Sequence, residues 1–397
     1  MTEPHLLMIA PAPVIRTDTG VTLDGKFVEG MRLQAALWPG TIRVLLREGA
    51  RDIPFGARAI DPGREPFELT IRPADAAILP ADLDGVDILL CSADDDRNFG
   101  LADMAVARGI PLVATLEYTL ETRLRIAWLD ESRPWPRRAI SALRIALRER
   151  NRRGLLARAA ALQANGYPAY AVCLRHDPEA LLYLDNRMRP ALFATDAEQA
   201  ARHARLKAGA PLRLAYSGRL DPMKGVQDLV PVARSLASRN VPFTLDIFGT
   251  GSLRDRIAAQ IGAAGLGDRV TLHAPLDFET GLVPWLRANA DLYLCCHRQS
   301  DPSCTYLENM GCGLAVAGYA NGMWAALAEA SQAGWASPLG DVPALAAQIA
   351  ACDADRDGLV QASDRARTFA QAHDFETEFR ARMHHLAEIA RTMPARI

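Results

Sequence analysis

Arg219 and Lys224 stand five residues apart in YSGRLDPMKG (216–225), just past an apolar, strand-like run. Two cations at the carboxyl end of a strand, beside glycines such as Gly218 that let a ligand approach, suit a diphosphate group. Taken alone, the same residues would serve equally as a solvated basic turn. IFGTGSL (247–253) repeats the arrangement, with Gly249 and Gly251 at the next strand end. A lone Gly-x-Gly is a weak signal. The third such place is QSDPSCTYLENMGCGLAV (299–316), where a helix is expected to start near Ser303–Thr305. Free N–H groups and the positive dipole end of that helix would point into the same crevice. Small residues leave the amides of Cys304 and Thr305 open to phosphate oxygens. Glu308, one turn further in, is placed to accept two hydrogen bonds from ribose hydroxyls. A Glu that merely complemented the helix dipole would not account for three phosphate-suited strand ends.

Those strand ends need a scaffold, and the chain supplies one. Short β-like runs alternate with amphipathic stretches throughout: 6–10, 42–48, 67–73, 86–92, 110–117, 160–166 and 180–185 in the first half, with a helix over 24–37. Five more runs follow, at 212–218, 243–249, 269–274, 290–296 and 313–319. Two successive β/α halves with strands buried on both faces imply two doubly wound parallel sheets. Ligands of such sheets bind at the carboxyl ends of the strands, so the chemistry is expected in the cleft between the halves. The expected divisions are a first domain over 1–180, a second over 181–372, and a final helix over 373–397. The polar stretch before Leu212 reads as a surface helix and connector.

Composition excludes several classes. A chain of 397 residues with 49% hydrophobic and 23% charged residues is that of an ordinary two-domain globular protein. Its net charge of -2 provides no global attraction to nucleic acid, and no apolar run is long enough to span a bilayer. The start MTEPHLLMIAPAPV lacks a basic secretory leader, and seven cysteines at irregular spacing make no disulfide framework, so a cytoplasmic protein is expected. Adjacent Cys295, Cys296 and His297 cannot converge on one metal ion and read as a buried strand end; no metal or cofactor is expected. The acidic run Asp94–Asp96 reads as helix capping.

On these residues the chain resembles the retaining glycosyltransferases of family 4, continuously from YSGRLDPMKG to WASPLGDVPALAAQI and only in outline before that. The resemblance implies the GT-B fold, two Rossmann-like domains facing each other across a cleft, with 1–180 the acceptor domain, 181–372 the donor domain and 373–397 a helix returning to the first, and a nucleotide-diphosphate sugar as co-substrate. In the family the Arg and Lys of a GRL…KG element bind the donor diphosphate, which carries over to Arg219 and Lys224. The second Glu of the family's Glu-x7-Glu motif is Glu308, in LENMGCG, the ribose ligand. The first falls on Ser300, with Asp301 one residue later as the substitute that would hold sugar hydroxyls. Glu117, in PLVATLEY, stands where the family often has a His near the transferred hexose. The first βα loop, read in RTDTGVTLDGKF, offers Gly20, Gly25 and Lys26 without the usual Gly-Gly pair. The implied reaction is metal-independent hexosyl transfer with retention. The departing diphosphate is stabilised electrostatically, and one of its own oxygens takes the acceptor proton.

The acceptor signal lies elsewhere. Residues 123–158 hold eleven arginines against Asp130, Glu131 and Glu149. Arg144, Arg148 and Arg152 recur every fourth residue as one stripe, beside an apolar stripe of Ile140, Leu143 and Leu147 with Trp135 before it. A basic amphipathic helix with a Trp at its edge suits an anionic membrane surface. A helix that buries the apolar stripe on its own sheet and leaves the arginines solvated is the competing reading. The favoured acceptor is a membrane lipid or lipid-linked saccharide, diacylglycerol being one candidate. A soluble acceptor, a sugar-nucleotide epimerase of the same fold and an inactive nucleotide-sugar-binding scaffold are the alternatives.

Overall fold

A computed structural model describes residues 3–392 except 18–19, 50–52, 54–55 and 131. The chain forms two compact units, one of Met1–Leu120, Arg144–Tyr183 and Glu376–Ile397, the other of Glu121–Leu143 and Leu184–Phe375. Strands of the first unit are β1 (Leu6–Ile9), β2 (Val14–Thr17), β3 (Gly20–Asp24), β4 (Ile42–Arg47), β5 (Ala57–Ile60), β6 (Glu68–Arg72), β7 (Ile88–Ser92), β8 (Leu112–Leu116), β9 (Ala161–Asn165) and β10 (Leu181–Tyr183). Seven of them form a parallel sheet in the order β10-β9-β8-β7-β1-β4-β6. Its central strands are apolar at nearly every position, Ser92 and Thr115 being exceptions near the strand ends, because both faces are covered. Along β1, Leu7 and Ile9 enter one core with Leu89 and Leu112, while Leu6 and Met8 enter the other with Val44 and Leu90. The period of two thus feeds two layers.

The stretch expected to be a glycine-bearing βα loop is instead a β-hairpin. β2 pairs antiparallel with β3, and β3 with β5, in a separate three-stranded sheet. Burial explains it: Val14, Val21, Leu23 and Ile60 join the core of Leu6, Met8 and Val44, while Arg16 is exposed. Gly25 and Lys26 then open the helix Gly25–Leu37, whose cap is Asp24, accepting from the Phe27 amide at 3.1 Å. The last helix, Phe375–Thr392, packs on the first unit. Met383 and Leu386 are buried in its core, and the Arg382 guanidinium lies 4.2 Å from the Tyr183 ring centre.

The second unit holds β11 (Leu212–Ser217), β12 (Phe243–Phe248), β13 (Val270–His273), β14 (Leu292–Cys295), β15 (Ala315–Tyr319) and β16 (Gly334–Ser337), all parallel, in the order β13-β12-β11-β14-β15-β16. β16 is absent from the sequence reading because this short edge strand carries too little apolar alternation to register. The strand order reverses between β11 and β14, and a crevice opens at such a switch point, beyond the carboxyl ends of the two strands.

Candidate active site

The loops after β11 and β14 bring together most of the sequence-selected residues. Beyond β11 the chain is zipped to the loop after β12: the Gly218 amide donates to Phe248 O at 3.1 Å, Leu220 N to Thr250 O at 2.9 Å, and Leu253 N to Leu220 O at 2.9 Å. Only glycine fits at Gly249, where a Cβ would stand 2.0 Å from Gly218 O, and at Gly251 a Cβ would stand 2.7 Å from the Leu220 backbone. Gly225 is the tightest point. Its φ is +64°, and a Cβ would meet Cys296 O at 1.7 Å. That contact presses the Lys224 loop directly onto the end of β14.

Lys224 is buried, and its Nζ donates to Asp301 Oδ2 at 2.5 Å and to Ser303 Oγ at 3.3 Å. Asp301 is buried too, and its Oδ1 has no hydrogen-bond partner among the described residues. Burial pushes the Asp301 carboxyl up, but the Lys224 ammonium outweighs it and leaves its pKa below the usual carboxylate range. His297, wholly buried at the strand end with Cys295 and Cys296, is lowered to about 3 by burial first and by Lys224 second. It is therefore a neutral wall beside the ammonium. Arg219 is half exposed, with its nearest carboxylate, Asp221, at 3.8 Å. The position of the missing first Glu has another job: Ser300 Oγ accepts the Gly322 amide at 2.8 Å, at the start of the helix Gly322–Ser331.

The helix expected near Ser303–Thr305 runs from Thr305 to Gly311, with Cys304 at its cap and no side-chain capping bond. Its far end is bolted down by Arg202, on the helix Asp196–Lys207, which donates to Ala290 O, Gly313 O and Cys312 O, each at 2.9 Å. A cation at a helix carboxyl end also favours the dipole. Arg202 thus makes the presumed surface helix part of the foundation beneath Glu308. Glu308 is buried, and both its oxygens are held by Arg187, at 2.7 Å through Nε and 3.1 Å through Nη2. The guanidinium also lies 3.7 Å from the centre of the Phe278 ring. Sequence reasoning missed Arg187 and Phe278. LDNRMRPALF carries no motif, and a side chain that meets its partner 121 residues away leaves no local pattern.

Glu117, Gly25 and Lys26 belong to the first unit. The Glu117 amide donates to Asp94 Oδ2 at 2.7 Å, next to the Tyr118 amide at 3.2 Å. Asp94 therefore ties the ends of β7 and β8 together rather than capping a helix. The capping role belongs to Asp95, which accepts from the Arg97 amide at the 3-10 turn Asp96–Asn98. Among the described residues, no cluster of three or more His, Cys, Asp or Glu is placed to hold a metal ion.

The basic helix, Trp135–Arg158, divides the expectation. Its apolar stripe is not packed on a sheet, for Ile140, Leu143 and Leu147 are 50%, 60% and 69% exposed and Trp135 is 72% exposed. Arg144 is exposed, and Arg148 pairs with Asp96. Arg152 is not a surface cation at all. It is 1% exposed and donates to Glu149 at 2.9 and 3.0 Å, to Tyr118 O at 2.6 Å and to Asp94 at 3.2 Å. Four residues advance a helix by slightly more than a turn, roughly 40° too far. Two such steps carry Arg152 out of the stripe and into the body of the unit. Upstream, Leu124, Trp128, Leu129, Ala142 and Leu339 line a groove of about 710 Å³ with Arg125, whose Nη1 donates to Arg298 O at 3.1 Å. No helix among the described residues is long and apolar enough to cross a membrane.

Comparison with known proteins agrees with this architecture. Residues 198–369 match the family described as Glycosyl transferases group 1. A 2-deoxystreptamine N-acetyl-D-glucosaminyltransferase of Streptomyces fradiae is 32% identical over 165 residues, 41% of this chain and 38% of that protein. The chain thus spans well under half the length of that relative. Among solved structures, HepE of Anabaena bound to UDP is similar with a TM-score of 0.64 at 14% identity, over 97% of this chain and 99% of that one. Sucrose-phosphate synthase of Thermosynechococcus elongatus gives 0.64 at 17% identity, over 97% and 98%. The protein therefore has the GT-B fold, with two Rossmann-like domains, and its residues 198–369 carry the pattern of the group 1 glycosyl transferases.

Proposed function

We propose that the protein is a retaining, metal-independent glycosyltransferase of the family 4 type, which moves a hexose from a nucleotide-diphosphate sugar to a hydroxyl acceptor. The observation that carries this reading is the buried Lys224 at the switch point, within hydrogen-bond reach of Asp301 and Ser303. In the free protein the Asp301 carboxylate occupies the cation that a diphosphate would claim. As the bond between the anomeric carbon and the diphosphate oxygen breaks, negative charge grows on that oxygen, and Lys224 and Arg219 stabilise it. The acceptor oxygen bonds to the same face of the carbon, and its proton passes to the departing diphosphate. Asp301, with one oxygen free, holds sugar hydroxyls in place of the carboxylate that Ser300 lacks. HepE, whose complexes hold UDP and UDP-glucose, makes a uridine donor the first to try. Incubation with a panel of nucleotide sugars and a lipid extract, followed by mass spectrometry of both products, is the test. Failure to release any nucleoside diphosphate, with every donor and acceptor, rejects the reading in favour of a scaffold.

For the acceptor, the exposed apolar residues of the 135–158 helix, set among arginines, favour a lipid or lipid-linked saccharide met at the inner membrane face. A second reading has its own support. The Streptomyces fradiae relative is named for 2-deoxystreptamine and an N-acetyl-D-glucosaminyl group, so 2-deoxystreptamine-like acceptors and N-acetylglucosaminyl donors belong in the same screen.

A further inference from the structure

We propose that Arg187 is a nucleoside-recognition residue, which acts with Glu308 on the ribose cis-diol of the donor; the inference rests on the nucleotide-sugar reading of this site. The guanidinium is fixed on two sides, by the Phe278 ring at 3.7 Å and by the two-pronged contact to Glu308 at 2.7 and 3.1 Å. These contacts use one face together with Nε and Nη2. Nη1 has no hydrogen bond among the described residues, and the side chain remains 30% exposed. An anchored arginine with one free edge is a pre-oriented donor.

The chemistry of the pair narrows the ligand. Arginine only donates, and an ionised carboxylate only accepts. A ligand atom between them must therefore both accept and donate, as a hydroxyl does and as a carbonyl or an ammonium group does not. Two such atoms side by side, one nearer the guanidinium and one nearer the carboxylate, describe a vicinal diol. Glu308 retains acceptor capacity, because a carboxylate offers about four lone-pair sites and Arg187 uses two of them. A purely structural ion pair would need neither the free Nη1 edge nor the aromatic shelf beneath it.

The test measures discrimination rather than activity. Calorimetric titration of the full chain with UDP, GDP and ADP identifies the nucleotide that binds, and its 2′-deoxy form is titrated next. Loss of one hydrogen bond to a charged group should weaken wild-type binding about 10-fold or more. In Arg187→Gln the ribo-to-deoxy ratio should collapse to within about 3-fold, and Arg187→Lys, which keeps the charge without the fork, should lie between. Circular dichroism melting establishes that both variants are folded, and should Gln fail to fold, the Lys variant alone decides. A ratio that is the same in wild type and the folded variant overturns the proposal while nucleotide binding stands. Absence of binding by all three nucleotides to wild type overturns the donor reading itself, and this inference with it.

Discussion

Lys224 Nζ lies 2.5 Å from Asp301 Oδ2, on loops 77 residues apart, and both side chains are almost wholly shielded from water. Breaking a buried ion pair from one side leaves an uncompensated charge and typically costs about 3–5 kcal/mol, whereas an apolar replacement of both partners is often tolerated. Asp301→Leu and Lys224→Met should each accordingly destabilise the protein by that order in urea unfolding. The double variant Lys224→Met with Asp301→Leu should recover much of the loss. Additive losses in the cycle would show that the two groups do not interact.

Lys224→Ala should lower kcat by about 100-fold or more, since the ammonium is aimed at charge that develops on the leaving group. Arg219→Ala, at a half-exposed position, should cost less. Near-normal turnover of the Lys224 variant removes the residue from the mechanism.

Gly225→Ala should be among the most damaging substitutions of a small residue. It combines a left-handed backbone with a Cβ placed 1.7 Å from Cys296 O. Strain and overpacking each cost about 1–3 kcal/mol. Gly209 shares the positive φ, at +73°, but has open space around its Cβ position, so Gly209→Ala should show the backbone strain alone. Equal losses in urea midpoint for the two variants would contradict the clash.

Stability should fall on acidification through pH 6.5, with His297 the main contributor beside the smaller depressions of His203 and His385. Burial and Lys224 hold the folded pKa of His297 to about 3, whereas the unfolded chain takes up that proton near pH 6.5. Between these values the unfolded state binds more protons, so folding weakens as pH falls, by about 1.4 kcal/mol per pH unit. The Asp301 carboxyl, also depressed, adds its loss only below the ordinary carboxylate range. Urea unfolding between pH 7 and 4.5 should show a shallower decline in His297→Phe. An identical slope assigns the acid sensitivity to other groups.

The exposed helix offers a test of the membrane reading that spares the fold. Leu143→Asp with Leu147→Asp should abolish flotation on anionic liposomes and leave the melting temperature nearly unchanged, because both side chains are largely exposed. Arg152→Glu should unfold the protein instead, since it would set three carboxylates together where a cation now stands. Liposome binding that survives the double Asp substitution separates docking from this stripe.

The sequence by itself determined the two parallel sheets, because strands buried on both faces must be apolar at nearly every position, and that pattern is local. It also located the strand ends that hold Gly218, Lys224, Asp301 and Glu308, since glycine, charge and helix-start signals are read within a few residues. Tertiary structure decided the partnerships. That Asp301 meets Lys224, that Glu308 sits in the fork of Arg187, and that Arg152 faces Asp94 rather than solvent depended on residues 58 to 121 positions away. The hairpin of β2 and β3 and the edge strand β16 belong to the same class. Each is too short to carry a pattern of its own, and each exists because a neighbouring strand supplies its hydrogen bonds.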